Sequence, residues 1–323
     1  MPELLTPQAQ QAIQRGTEYL ISVQNTDGSW RSRTNMGAYP CALTSLAGLA
    51  LMAGGHTPVE GEYSPQLRKA VQYVLSCANP TGLIARIDEE QRPMFGHGFA
   101  LLFLSQAYGM ERDPVQMQKI RTVLEKGIEL TVRSQSRDGG WLYTPDANGD
   151  EGAVTVTQIQ GLRACRNVGL EVPKSTIDRA LGYIEKSVNP DGGIRYTARD
   201  RGPSRPPITA AAVATLYNAG AYENPVAERC LAYIKRLLQT SRGGTSAVYA
   251  GHEYYAILYT GQAMYLSSEA NWQFFFPNMR DELVSRQSTD GSWNGDGVGQ
   301  TYGTAIALLT LQLPYKYLPI LQR

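Results

Sequence analysis

The chain has 323 residues, 42% hydrophobic and 18% charged, which is enough to bury a large core and too apolar for a disordered chain. Thirty Lys and Arg against 29 Asp and Glu leave a net charge of +1, so no global field points to nucleic acid or to an acidic partner. No stretch reaches the roughly 18 unbroken apolar residues of a membrane span, and Met1-Pro2-Glu3-Leu4-Leu5 lacks a basic signal region, so a soluble cytoplasmic protein is expected.

In chain order, the first turn signal is Asp27-Gly28, and an apolar helix follows over Cys41 to Ala53. An amphipathic helix then places Leu67, Ala70, Val71, Val74 and Leu75 on one stripe. It leads through Thr81-Gly82 to a second apolar helix, Gly98 to Tyr108. The stripe Ile120, Val123, Leu124, Gly127, Ile128 precedes Asp138-Gly139 and the apolar helix Ala153 to Val168. Ile177, Ala180, Leu181 and Ile184 precede Asp191-Gly192 and Ile208 to Ala219. Arg242-Gly243 and Asp290-Gly291 then introduce Tyr254 to Leu266 and Gly303 to Leu313. The turn glycines recur roughly every 50 residues, which makes six units of one length.

A helix that is apolar on all sides must be covered on all sides. Six such helices achieve this as an inner ring surrounded by six amphipathic ones, each pair antiparallel across a short connection. An open solenoid of six hairpins would leave two apolar ends. The expected fold is therefore all-α, a closed α/α toroid (an α6/α6 barrel) of six helical hairpins, with residues 1–323 as one domain. The inner helices should begin near Ala38, Gly96, Gly152, Ile208, Gly251 and Thr301. Cys41, Cys77, Cys165 and Cys230 lie too far apart for a local disulfide framework or a metal knuckle and read as buried thiols.

Three turns carry the same decoration: Gln24-Asn-Thr-Asp-Gly28-Ser-Trp30, Gln135-Ser-Arg-Asp-Gly139-Gly-Trp141 and Gln287-Ser-Thr-Asp-Gly291-Ser-Trp293. Each matches QxxxGxW, and the pattern resembles the QW repeat of squalene and terpenoid cyclases, whose toroid is shared by the β subunits of protein prenyltransferases. Asn189-Pro-Asp-Gly-Gly-Ile-Arg is similar to a decayed copy. Locally, Asp-Gly supplies a tight turn, the Gln amide bonds backbone at a helix end, and the Trp packs over the hairpin, so these residues specify architecture.

The resemblance implies an isoprenoid or other apolar small molecule inside the barrel, and with it a candidate peripheral membrane contact. It does not extend to the cyclase DxDD acid: sliding that motif onto the third inner helix lands on Ala153 and Val154, with Asp150 and Glu151 just upstream as candidate acids. Nor does it extend to the prenyltransferase zinc ligands. His252 stands at the head of the fifth inner helix, but the preceding repeat offers neither Asp nor Cys, so neither zinc nor another cofactor is expected. Prenyltransferase relatives require an α subunit, and the sequence leaves the need for a partner subunit open. A barrel glycosidase would need two facing carboxylates, of which Asp150 and Glu151 supply one candidate half.

Polar residues entering the inner helices would line the mouth. His97 and His252, each after a glycine, join Asp150 and Glu151 as candidate catalytic groups. Arg195, Arg199, Arg201 and Arg205 precede the fourth inner helix, and Arg199 and Arg201 are assigned to a diphosphate. Tyr39, Tyr255 and Tyr302 would contact the hydrocarbon or a carbocation. Trp272-Gln-Phe274-Phe275-Phe276 reads as packing or a sticky surface patch. The alternative to an isoprenoid-handling protein is a non-catalytic repeat scaffold for another protein.

Overall fold

Proline fixes φ and needs no amide partner, so it is suited to the first turn of a helix. Among the described residues six α-helices open on one: Pro7, Pro40, Pro93, Pro114, Pro206 and Pro225. In a computed structural model, which describes residues 4–35, 37–240, 246–249 and 251–322, amphipathic and apolar helices alternate. The pairs are α1 (Pro7–Ser22) with α2 (Pro40–Ala53), α3 (Ser64–Ser76) with α4 (Pro93–Met110), and α5 (Pro114–Arg133) with α6 (Gly152–Asn167). They continue with α7 (Lys174–Lys186) and α8 (Pro206–Asn218), then α9 (Pro225–Thr240), a four-residue α10 (Ser246–Tyr249) and α11 (Glu253–Ser267), and last α12 (Glu269–Ser285) with α13 (Gln300–Leu311). Every residue of α2 is buried, whereas α7 buries only Thr176, Ala180, Tyr183 and Ile184.

The apolar helices form the inner ring: α2, α4, α6, α8, α11 and α13 each pack on the next, and α13 returns to α2. Outside them α12 meets α1, so the first and last units also touch across the same seam. Among the described residues there is no strand, only isolated bridges. Two 3-10 turns, Leu313–Tyr315 and Pro319–Leu321, follow α13.

The turns are the fasteners. Trp30, Trp141 and Trp293 are fully buried, and their indole N–H groups donate to Leu20, Thr131 and Leu283 carbonyls of the preceding outer helix at 2.7–2.8 Å. Each Gln amide bridges its own turn glycine and the next outer helix: Gln24 reaches Gln66 O (3.0 Å), Gln135 reaches Thr176 O (2.9 Å), and Gln287 reaches Ala12 O (2.8 Å) in α1. The last of these joins the end of the ring to its start. Gly28, Gly139 and Gly291 have positive φ, and a Cβ there would lie about 2.2–2.5 Å from the carbonyls of Lys69, Arg179 and Arg15 on that same next helix. Only glycine permits both the turn and the approach. The Arg242-Gly243 turn lies outside the described residues.

One expectation is corrected here: the second inner helix begins at Pro93 rather than near Gly96, because proline sets its first turn. Of the aromatics in the Trp272 to Phe276 stretch, Trp272, Phe275 and Phe276 are buried and Phe274 is exposed, so of its two readings packing is the one the structure bears out. All four cysteines are free and buried. No described helix is long and apolar enough to cross a membrane.

Candidate functional site

The N-terminal ends of the inner helices surround a cavity of about 360 Å³. Its wall is apolar one turn down, with Leu43 and Leu46 from α2, Phe99 from α4, Ile208 from α8, Leu258 from α11 and Ile306 from α13. Tyr39, Tyr255, Tyr302, Glu151 and His252 also line it, so the structure brings these five sequence candidates together.

Glu151 is the buried carboxyl of this cavity, 1% exposed. It caps α6 by accepting Val154 N–H at 2.6 Å and Ala153 N–H at 3.0 Å. Its own N–H donates to Trp141 O at 2.9 Å, so the third turn holds it in place. Burial pushes its pKa up to about 7, against the lowering pull of the two amides and of Arg92. Each carboxyl oxygen keeps a second lone pair that can hold a proton. The Tyr255 hydroxyl is buried without a partner. Burial, then Tyr259, Glu151 and Tyr302, raise its pKa well above the usual phenol value. Asp296, also on the lining, accepts the amides of Glu253, Tyr254 and Tyr255 at 2.8, 2.8 and 3.3 Å and so caps α11.

Asp150 does not join Glu151. Glu151 is extended (φ −152°), so neighbouring side chains point to opposite sides. Asp150 instead faces a separate polar cleft, where it accepts from Ser136 Oγ at 3.2 Å. Arg199 lies in that cleft too, paired with Asp138 at 2.6 Å, and Arg201 is exposed and lines neither space. The arginines at the cavity are Arg205 and Arg92, both exposed on its rim. Arg92 lies over the Tyr143 ring at 4.3 Å and Arg205 over Tyr196 at 5.7 Å, and the two tyrosine hydroxyls hydrogen-bond to each other.

His97 is likewise absent from the cavity; it is fully buried. In four units a threonine of the inner helix accepts the N–H that ends the turn: Thr44 from Trp30, Thr155 from Trp141, Thr209 from Ile194 and Thr304 from Trp293. In the second unit His97 Nδ1 does this for Ile84 N–H at 3.2 Å. Its Nε2 lies 2.9 Å from Thr131 Oγ1, which donates to Gly127 O, so Nε2 carries the proton. Burial lowers the imidazole pKa to about 4. Between pH 6.5 and 4 the unfolded chain therefore binds a proton that the folded one refuses, and stability held above pH 6.5 is lost as pH falls through 4. His97→Gln should flatten this acid limb in urea melts recorded across that window.

No protein-family model matches the chain. Over 194 residues it is 27% identical to drimenyl diphosphate synthase of Streptomyces showdoensis, a match covering 59% of this chain and 33% of that protein. It thus spans about a third of the length of that relative. The type II terpene cyclase MstE from Scytonema superposes with a TM-score of 0.63 at 15% identity, over 99% of this chain and 100% of that one. The chain has the toroid fold of the type II terpene cyclases. An inactive variant of an α-1,6-mannanase from Salegentibacter sp. HEL1_6, solved with α-1,6-mannotriose, shares the architecture at TM-score 0.65 and 10% identity, over 94% and 98% of the two chains.

Arg92 and Asp296 of the lining escaped the sequence reading. Arg92, like Arg205 of the arginine run, is followed by the proline that opens an inner helix, and this repeated Arg-Pro pair is the signal that marks the rim. Asp296 sits between glycines in Gly295-Asp296-Gly297-Val298-Gly299, at φ 48°, a conformation few side chains adopt.

Proposed function

We propose that the barrel binds an isoprenoid with an anionic head group and that Glu151 starts its cyclisation by proton transfer. The observation that carries this is an apolar cavity containing a buried carboxyl whose pKa is raised to about 7, the neutral form of which is a proton donor. The Glu151 O–H delivers its proton to the terminal alkene. The π pair forms the new C–H bond, and the resulting tertiary cation is attacked by the next alkene. Tyr39, Tyr255, Tyr302 and Phe99 line the cavity where that charge develops, and aromatic rings stabilise cations. A final proton loss closes the cycle and, through solvent, restores the acid.

Arg92 and Arg205 fit a diphosphate or carboxylate at the rim, held forward by their tyrosine platforms. Because Glu151 shares the mouth with these arginines, the chain must fold back to bring its far alkene to the acid, and ring closure requires that same folding. A glycoside substrate is disfavoured by the lining, since Leu43, Leu46, Ile208, Leu258 and Ile306 leave sugar hydroxyls without partners.

The test is incubation with prenyl diphosphates and product analysis by gas chromatography with mass spectrometry, alongside calorimetric binding. Arg92→Ala and Arg205→Ala should each weaken a prenyl diphosphate roughly tenfold and leave the prenyl alcohol unchanged. Arg199→Ala and Arg201→Ala should change neither. Absence of both binding and cyclic product with every prenyl chain would refute the reading.

A further inference from the structure

Below the main cavity lies a recess of about 20 Å³, and Leu46, Phe99 and Leu258 line both spaces. These three side chains are the partition between them. The recess ends on Leu318, Ile320 and Leu321, which follow α13 and tuck under the ring, each no more than 9% exposed. The toroid is thus stopped at this end by a short segment that belongs to none of the twelve ring helices.

We infer that this partition and the segment 318–321 beneath it form the gauge that sets which prenyl chain length the barrel accepts. The inference rests on the isoprenoid reading above. With the head group fixed at the Arg92 and Arg205 rim and the far end stopped by apolar side chains, the usable depth is set between two fixed ends. From Phe99 to Leu102 on α4, the step from partition to recess is about one helical turn, roughly 5 Å. An extended chain advances about 3.5 Å per three bonds, so the four bonds along one isoprene unit span nearly the same distance. Removing the stop therefore admits at least one more unit, and a folded chain crosses the added depth twice. The segment is held by packing rather than by covalent or charged ties: Leu321 N donates to Leu318 O and Gln322 N to Pro319 O, both within the turn itself. Its side chains can therefore be shortened without disconnecting the ring.

The experiment measures calorimetric affinity for the fully hydrogenated analogues of geranyl, farnesyl, geranylgeranyl and geranylfarnesyl diphosphate, which have no alkene to protonate and so bind without reacting. Three proteins are compared: the full wild-type chain, the double variant Ile320→Ala/Leu321→Ala, and Leu258→Ala, which opens the partition from the wall. The wild type should show an optimum at one length. Each variant should move it to a longer chain by at least one isoprene unit, gaining roughly tenfold for the longer ligand, because even two further buried methylenes are worth about that factor. For Ile320→Ala/Leu321→Ala, whose side chains do not line the main cavity, affinity for the shortest ligand should stay within a factor of about two or three. Should the double variant fail to fold, Leu258→Ala carries the test alone. A wild type that binds all lengths alike, or folded variants with an unmoved optimum, overturns the gauge and leaves the isoprenoid reading standing. Failure of the wild type to bind any of the four overturns both.

Discussion

Replacing Trp141 with alanine should cost about 3–5 kcal/mol of stability, the range for a buried Trp reduced to a methyl, and lower the melting temperature by roughly 4–7 °C. The ring is fully buried, and its N–H is the partner of Thr131 O inside α5. The loss therefore combines a cavity with an orphaned buried carbonyl. The backbone at Trp141 also takes the N–H of Glu151 and gives its own N–H to Thr155, so loosening this turn should disturb the cap of α6 together with the acid. Thermal melts followed by far-ultraviolet circular dichroism decide it. Unchanged melting with lost ligand binding would mean that Trp141 belongs to the binding site rather than to the frame.

Glu151→Gln should lower turnover on the order of 10²–10⁴-fold, the usual worth of a positioned general acid, while prenyl diphosphate affinity changes by no more than about threefold. Gln keeps the shape and one acceptor oxygen for the α6 amides but has no proton to give. Asp150→Asn, on the far side of the same backbone, should leave turnover unchanged. With the carboxyl pushed to about 7, turnover should fall as pH rises above that value. Stability follows the same group. Between pH 4.5 and 7 the folded chain holds a proton that the unfolded chain has released, so this contribution is complete below pH 4.5 and disappears as pH rises through 7. The difference between wild-type and E151Q urea melts should show that slope. Its absence, with turnover intact in the variant, would assign proton donation to another group.

The ring was legible in the sequence because its signals are local and repeated. Asp-Gly turns at a fixed spacing, three Gln and Trp fasteners, and helices apolar on every side each follow from one physical demand, and together they allow few architectures. The site was legible in part. Glu151 could be found because it stands at the start of an inner helix, but Asp150 beside it cannot be told apart by type. The extended backbone that sends the two to opposite sides is set by the Trp141 turn, a contact ten residues away. His97 and His252 look alike as Gly-His pairs, yet Pro93 starts α4 early enough to put His97 one turn inside the helix, while His252 remains at the cap of α11. The diphosphate assignment fell on the densest run of arginines, whereas the rim uses one arginine from that run and another far from it in the chain.

Closure through the Gln287 amide and the Ala12 carbonyl bears on how the chain comes to fold. A stack of repeats can nucleate anywhere and fray from its ends, but a ring has no ends to fray, and its final contact joins segments separated by almost the whole sequence. Loop-closure entropy for such a contact is met only when the last unit arrives. A nascent chain carrying five units would thus hold two apolar helix faces open, at the α2 and α11 edges of an unfinished ring, and would look to a chaperone like an unfolded client until the sixth unit docks.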